Sequence, residues 1–269
     1  MKIKNEFFSI FQICRSGQCF RLNQMEQDRY ELMAGDRFLE IRTSGEETEL
    51  CCQDEEYEVF WKNYFDLDAD YGAYFSRIPS EDSYLSSAAD FGCGIRILRQ
   101  DVWEMIVTFI LSQQNNIPRI KGLIKVLCQR YGEKKKGPDG RVYDAFPTPE
   151  RLAGVTEEEL RSLKFGYRSK YLCGTVKCVL EKRIDLGALY EMDARRAQEE
   201  LMKLPGIGGK VADCIRLFAL HQMDAFPIDT HIRKVLAEHY ADGFPFERYP
   251  GCAGLMQQYI FYYDLMQSR

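Results

Sequence analysis

Lys210 and Asp229 are the residues whose types and surroundings are best suited to breaking a covalent bond. A deprotonated lysine amine can attack an electrophilic carbon and form a Schiff base, and a nearby carboxylate can stabilise the positive charge of an oxocarbenium-like transition state. Lys210 directly follows Leu204-Pro205-Gly206-Ile207-Gly208-Gly209, and Asp229 closes Pro227-Ile228-Asp229 ahead of Thr230-His231. Glycines there supply a left-handed turn and let the backbone approach a ligand closely, and Pro205 stops the helix before it. A helix opening at Lys210 presents unpaired N–H groups and a positive dipole end, which suits a phosphate. Each residue also has a plainer role open to it. Lys210 could bind phosphate without doing chemistry, and Asp229 could serve only as the N-cap of a helix over 230–240.

The elements that must hold these residues are helical. A helix over 194–202 leads into the hairpin at 204–210. Asp101 caps a helix whose Trp103, Ile106, Val107, Ile110 and Leu111 share a face, and Pro118 takes the first position of another with Ile120, Leu123, Ile124 and Leu127 inward. Residues 133–141 read as a Lys/Gly/Pro loop. Thr148-Pro149 opens a short helix, Thr156-x-x-Glu159 is a capping box, and Gly166-Tyr167-Arg168 interrupts before a helix over 169–182. The first hundred residues read instead as antiparallel β: runs 7–13, 18–22, 29–34, 37–43 and 48–52, parted by turns at Ser16-Gly17, Ala34-Gly35-Asp36 and Ser44-Gly45. Helical material begins at Tyr57. The expectation is an α+β protein, with a twisted antiparallel sheet subdomain over 1–97 packed on a helical domain over 98–269.

The chain has 269 residues, 45% hydrophobic and 13% aromatic, enough to bury a full core. Its apolar runs are too short and too charged to span a membrane, and Glu6 argues against reading the start as a signal peptide. Ten cysteines contain no C-x-x-C pair, so reduced thiols in the cytoplasm are expected, with no metal and no cofactor. The net charge of −5 hides an asymmetry. Residues 117–183 carry 16 Lys and Arg against 8 Asp and Glu, and the rest of the chain carries 20 against 33. A basic middle on an acidic body fits one DNA-facing side.

Five elements in order resemble the 8-oxoguanine DNA glycosylases of the helix-hairpin-helix (HhH-GPD) superfamily. They are Ser16-Gly17-Gln18-x-Phe20-Arg21; Gly94-Ile-Arg-Ile-Leu-Arg-Gln-Asp101, similar to a strand entering the helical domain; Gly166-Tyr167-Arg168-x-x-Tyr171; Lys210-Val-Ala-Asp-Cys214; and Cys252 to Leu265 with Gln257 and Phe261. The resemblance implies a monomeric base-excision enzyme acting on damaged double-stranded DNA. It would flip 8-oxoguanine out of the duplex, cleave the N-glycosidic bond through a Lys210 Schiff base with Asp229 beside it, and nick the abasic site by β-elimination. The extruded base would lie on Phe261, edged by Gln257 and covered by Cys214. The Gly17 carbonyl would face the N7–H that 8-oxoguanine carries and guanine lacks. Gly206 and Gly208 of the hairpin, with His231, would hold phosphates. Gln114, Asn115, Tyr167 and Arg168, together with Arg119, would fill the vacated stack and read the opposite cytosine. The sequence departs from the family where Gln114 replaces an asparagine; the added methylene changes its reach, so a less strict demand for cytosine is expected. The four cluster cysteines of the iron–sulfur relatives are missing, with only Cys252 in that region. Two alternatives stand beside this reading: a bifunctional hairpin glycosylase of different lesion choice, and a non-catalytic hairpin DNA-binding module.

Overall fold

A computed structural model describes residues 1–137 and 140–268. Five strands form one antiparallel sheet: β1 (Lys2–Lys4), β2 (Leu22–Glu26), β3 (Arg29–Ala34), β4 (Arg37–Ser44) and β5 (Glu47–Cys51), in the spatial order β1-β5-β4-β3-β2. Period-two alternation sets the register, which pairs Tyr30 with Ile41 and Leu32 with Leu39. These four side chains are buried with Leu22 and Leu50 against Phe8, Ile10, Ile13, Trp61 and Phe65.

Several expected boundaries moved. The run 7–13 is not a strand: Ser9 accepts from the Gln12 N–H at 3.3 Å and starts helix α1 (Ile10–Arg15). The run 18–22 is not a strand either; Gln18 and Cys19 are buried in the turn, and pairing begins only at Leu22. The helical stretch expected from Tyr57 consists of α2 (Asp54–Glu56), a π turn at Tyr57–Trp61 and α3 (Lys62–Tyr64). The segment 94–101 joins no ladder. It is irregular and pinned by side chains, with Arg96 donating to the carbonyls of Phe7 and Asp66.

Helices α4 (Tyr71–Phe75) and α5 (Ser83–Gly92) precede residue 98, yet Tyr71, Leu85 and Ala88 are buried in the core of the helical part. That core is centred on α6 (Val102–Ser112), which is buried along nearly its whole length and capped by Asp101 as the sequence implied. Asn116 caps α7 (Ile117–Tyr131), which places Pro118 at its second position rather than its first. The expected loop at 133–141 is part of a hairpin of β6 (Lys134–Lys136) and β7 (Val142–Asp144); its residues 138 and 139 lie outside the described residues. Ion pairs from Lys135 to Asp36 (2.6 Å) and from Arg141 to Glu31 (2.5 Å) lay this hairpin on the sheet.

Thr156 accepts from the Glu159 N–H to start α8 (Glu157–Ser162), and α9 (Arg168–Leu180) follows. The last four helices are α10 (Ala194–Leu201), α11 (Gly209–Phe218), α12 (Thr230–His239) and α13 (Ala253–Gln267). Among the described residues no helix is long and apolar enough to cross a membrane.

Candidate active site

The hairpin between α10 and α11 is seated on α9 by two close approaches. A Cβ at Gly206 would lie 2.4 Å from Cγ of Tyr171, and one at Gly174 would lie 2.9 Å from Cγ of Pro205. Gly206 also has φ +81°, so it is required twice over, by conformation and by space. Gly208 differs. Its φ is −98° and nothing lies within 4 Å of where its Cβ would be. It is the N-cap of α11 and offers no side chain to the amides there; the first helical bond runs from Ala212 N–H to Gly208 C=O. The N–H groups ahead of Ala212 thus point out of an open helix start, an arrangement that suits an anion.

Lys210 is exposed on the first turn of α11, its Nζ 5.9 Å from the centroid of the Phe109 ring. Phe109 stacks on Phe218 at 5.7 Å. One turn beyond Lys210, the Cys214 thiol is buried; loss of water pushes its pKa up to about 11, although the Lys210 ammonium beside it pulls the other way. Asp229 is the N-cap of α12, accepting from the Ile232 N–H at 2.9 Å. Capping therefore accounts for one carboxylate oxygen and fixes where the side chain sits.

Lys210, Cys214 and Asp229 line one cavity with Gly17, Gln257 and Phe261. The space between them, counting the part open to solvent, is about 330 Å³. All six residues singled out for chemistry and for the base pocket meet there, although they come from α11, α12, α13 and the turn after α1. Gly17 has φ +75°, and a Cβ on it would sit 3.0 Å from Cε1 of Phe261. The Gln257 amide donates to the Pro227 carbonyl at 3.2 Å, which leaves its buried Oε1 without a partner. Ser16, Phe109, Phe218, Pro227 and Gln258 also line the cavity and were not anticipated. For Phe109 no facial signal existed, because α6 is buried on every side and Phe109 lies off the apolar face that the spacing marks; for Ser16 and Gln258 the partners are too distant in sequence to show one.

The remaining site residues flank the hairpin. Gln114 has φ +48°, an uncommon conformation for a residue with a side chain. The loop carrying it is held by its neighbour Gln113, whose carbonyl accepts from Tyr167 Oη (3.1 Å) and from the Arg168 guanidinium, and whose amide donates to the Gly206 carbonyl at 3.0 Å. Asn115 donates to the Leu111 carbonyl at 3.0 Å. Tyr167 remains 43% exposed. Arg168 and Arg119 are not brought together as equals: Arg119 is exposed on α7, whereas Arg168 is buried, bonded to the carbonyls of Gln113 and Gln114. His231 Nδ1 lies 2.6 Å from Asp264, and its ring meets Phe261 edge-on at 5.6 Å. Among the described residues no group of three or more His, Cys, Asp or Glu side chains is placed to hold a metal ion.

Residues 1–106 match the family model of the 8-oxoguanine DNA glycosylase N-terminal domain, and residues 107–243 match that of the HhH-GPD superfamily base excision DNA repair proteins. The chain is 30% identical to the N-glycosylase/DNA lyase of Saccharomyces cerevisiae, over 89% of this chain and 70% of that protein. Among solved structures it is similar to the Clostridium acetobutylicum 8-oxoguanine glycosylase/lyase in complex with double-stranded DNA containing cytosine opposite the lesion, with a TM-score of 0.90, 34% identity and coverage of 99% of this chain and 94% of that one. It is likewise similar to MBOgg1 in complex with a low-affinity DNA ligand, with a TM-score of 0.93, 33% identity and coverage of 100% and 96%. Both family models are matched in order, and the likeness to each solved structure spans nearly the whole of both chains: this protein belongs to the 8-oxoguanine DNA glycosylases of the HhH-GPD superfamily of base excision DNA repair proteins.

Proposed function

We propose that this protein excises 8-oxoguanine from duplex DNA and then nicks the abasic site, with Lys210 as nucleophile and Asp229 as the stabilising carboxylate. The observation that carries the reading is the convergence of Lys210, Asp229, Cys214, Gly17, Gln257 and Phe261 on one cavity beside an open helix start. The hairpin amides hold the phosphate backbone, and His231, its Nδ1 committed to Asp264, turns Nε2 toward a further phosphate. Tyr167 and the Gln114–Asn115 loop take up the space that the extruded nucleotide leaves in the duplex. The base stacks on Phe261, with Cys214 across from it, and the free Gln257 oxygen accepts an N–H from its edge.

The Lys210 amine attacks the anomeric carbon as the glycosidic bond breaks and the base departs with the bonding electron pair. Asp229 stabilises the positive charge that develops on the sugar ring. The C1′–O4′ bond then breaks as the amine nitrogen loses a proton, O4′ gains one and the sugar ring opens to a Schiff base, which acidifies the C–H at C2′; loss of that proton expels the 3′ phosphate. The Gly17 carbonyl selects the substrate, accepting from N7–H of 8-oxoguanine and facing a lone pair in guanine. Cytosine is the preferred opposite base, read chiefly by the exposed Arg119 while Arg168 braces the loop between them. Ten cysteines with no disulfide among them support a reducing compartment, for which we propose the cytoplasm.

The test is borohydride trapping on a duplex carrying 8-oxoguanine opposite cytosine. Wild-type protein should give a covalent adduct and Lys210→Gln none. An adduct that survives Lys210→Gln would move the nucleophile elsewhere, and wild-type trapping on thymine glycol but not on 8-oxoguanine would overturn the substrate assignment.

A further inference from the structure

Gln258 stands beside the cavity but outside every role above. It is 1% exposed on α13 and donates through Nε2 to the Ser16 carbonyl at 2.8 Å, joining positions 242 residues apart. Only the amide N–H can face a carbonyl, so the orientation of this side chain is fixed by its partner. Two more buried glutamines act on the same turn. Gln100 donates to the Gln18 carbonyl at 2.9 Å. Gln18 is itself held on both ends of its amide, donating to the Arg96 carbonyl and to Ser16 Oγ while accepting from the Leu98 N–H. The carbonyls on either side of Gly17 are thus both held. The carbonyl of Gly17 receives no hydrogen bond from any described residue.

We propose that Gln258 is a positioning residue for base selection: by holding the Ser16 carbonyl it fixes the peptide plane entering Gly17, and with Gln100 on the far side it aims the open Gly17 carbonyl into the cavity. The inference rests on the reading of Gly17 as the selector of 8-oxoguanine. An acceptor aimed in advance discriminates better than one free to turn away, because a rotating carbonyl could escape the lone pair of guanine and lose the N7–H of 8-oxoguanine. Gln258 touches no reacting atom, so its effect belongs to recognition of the base and not to the Schiff-base chemistry.

Two activities of one protein separate these. Cleavage of a preformed abasic site needs Lys210 but no base, whereas excision needs both. Gln258→Met keeps the length of the side chain and removes the donor; Gln258→Glu keeps the shape and sets an acceptor against the Ser16 carbonyl. Rates are taken per active site, titrated by borohydride trapping on abasic duplex, so misfolded protein drops out of the ratio. Loss of one buried hydrogen bond at the selector should lower 8-oxoguanine excision roughly tenfold with Gln258→Met, and further with Gln258→Glu, while abasic-site cleavage stays at the wild-type rate. Equal loss of both activities would show a merely structural role, and an unchanged ratio in both variants would show that the turn holds without Gln258; either overturns the proposal. If wild-type protein itself fails to prefer 8-oxoguanine to guanine, the reading of Gly17 fails first, an outcome distinct from both.

Discussion

The turn at Ser16–Gln18 and the hairpin at Leu204–Lys210 are made from the same part, a glycine in the left-handed region with an aromatic ring pressed against its Cα. In one the ring is Phe261, at 3.0 Å from the missing Cβ; in the other it is Tyr171, at 2.4 Å. They expose opposite ends of the peptide bond. Around Gly17 the neighbouring carbonyls are consumed by buried glutamines and one carbonyl is left open. Around Gly206 the carbonyl is taken by Gln113 and the next amide by Leu204, and the amides of the first turn of α11 are left open. An open acceptor suits a base N–H and an open donor suits a phosphate. What decides the use of a glycine turn is therefore which backbone groups the surrounding side chains have already taken.

The comparison can be broken most severely at Gly206. Gly206→Ala would combine a left-handed residue with a Cβ inside the Tyr171 ring, and should cost about 2–4 kcal/mol of stability, read from denaturant unfolding. An unchanged midpoint would mean that the hairpin is loosely seated. Gly17→Ala meets the edge of a single ring that can give by a few tenths of an ångström, so the stability loss should be smaller, about 1–2 kcal/mol. Its main effect should appear in single-turnover excision of 8-oxoguanine, with duplex affinity close to wild type. Loss of affinity in step with excision would dissolve the distinction between the two turns. Gly208→Ala is the mildest. With ordinary φ and open space, it should lose no more than about 1 kcal/mol of stability, from its weaker N-cap, and weaken duplex binding several-fold where the new methyl meets a phosphate. Wild-type affinity in a salt titration would mean the phosphate lies elsewhere.

Local rules carried much of this in the sequence. Asp101, Thr156 and Asp229 are caps because each is a short acceptor side chain set just ahead of its helix, and strands 29–34 and 37–43 alternate cleanly enough to fix their faces. The run 7–13 misled because a short apolar stretch reads alike as buried strand or buried helix, and only the Ser9 cap decides. The hairpin at 134–144 was hidden because its Lys-rich strand has no apolar face; ion pairs to a distant sheet hold it instead. Six of the residues that line the cavity stand out in the sequence, whereas the side chains that brace them do not. Gln18, Gln100 and Gln258 look like surface glutamines until the fold brings them together. Arg168 was read as facing DNA; in the structure it is buried, its guanidinium donating to the carbonyls of Gln113 and Gln114, a pairing between segments 54 residues apart that local rules do not show.

The burial of Cys214 bears on the circumstances in which such an enzyme works. Oxidants attack thiolates rather than thiols, and burial, by pushing the pKa of Cys214 up to about 11, keeps the group a thiol. A sulfur atom can therefore serve as a soft, apolar wall for an oxidised base without being consumed by the peroxides that generate such bases.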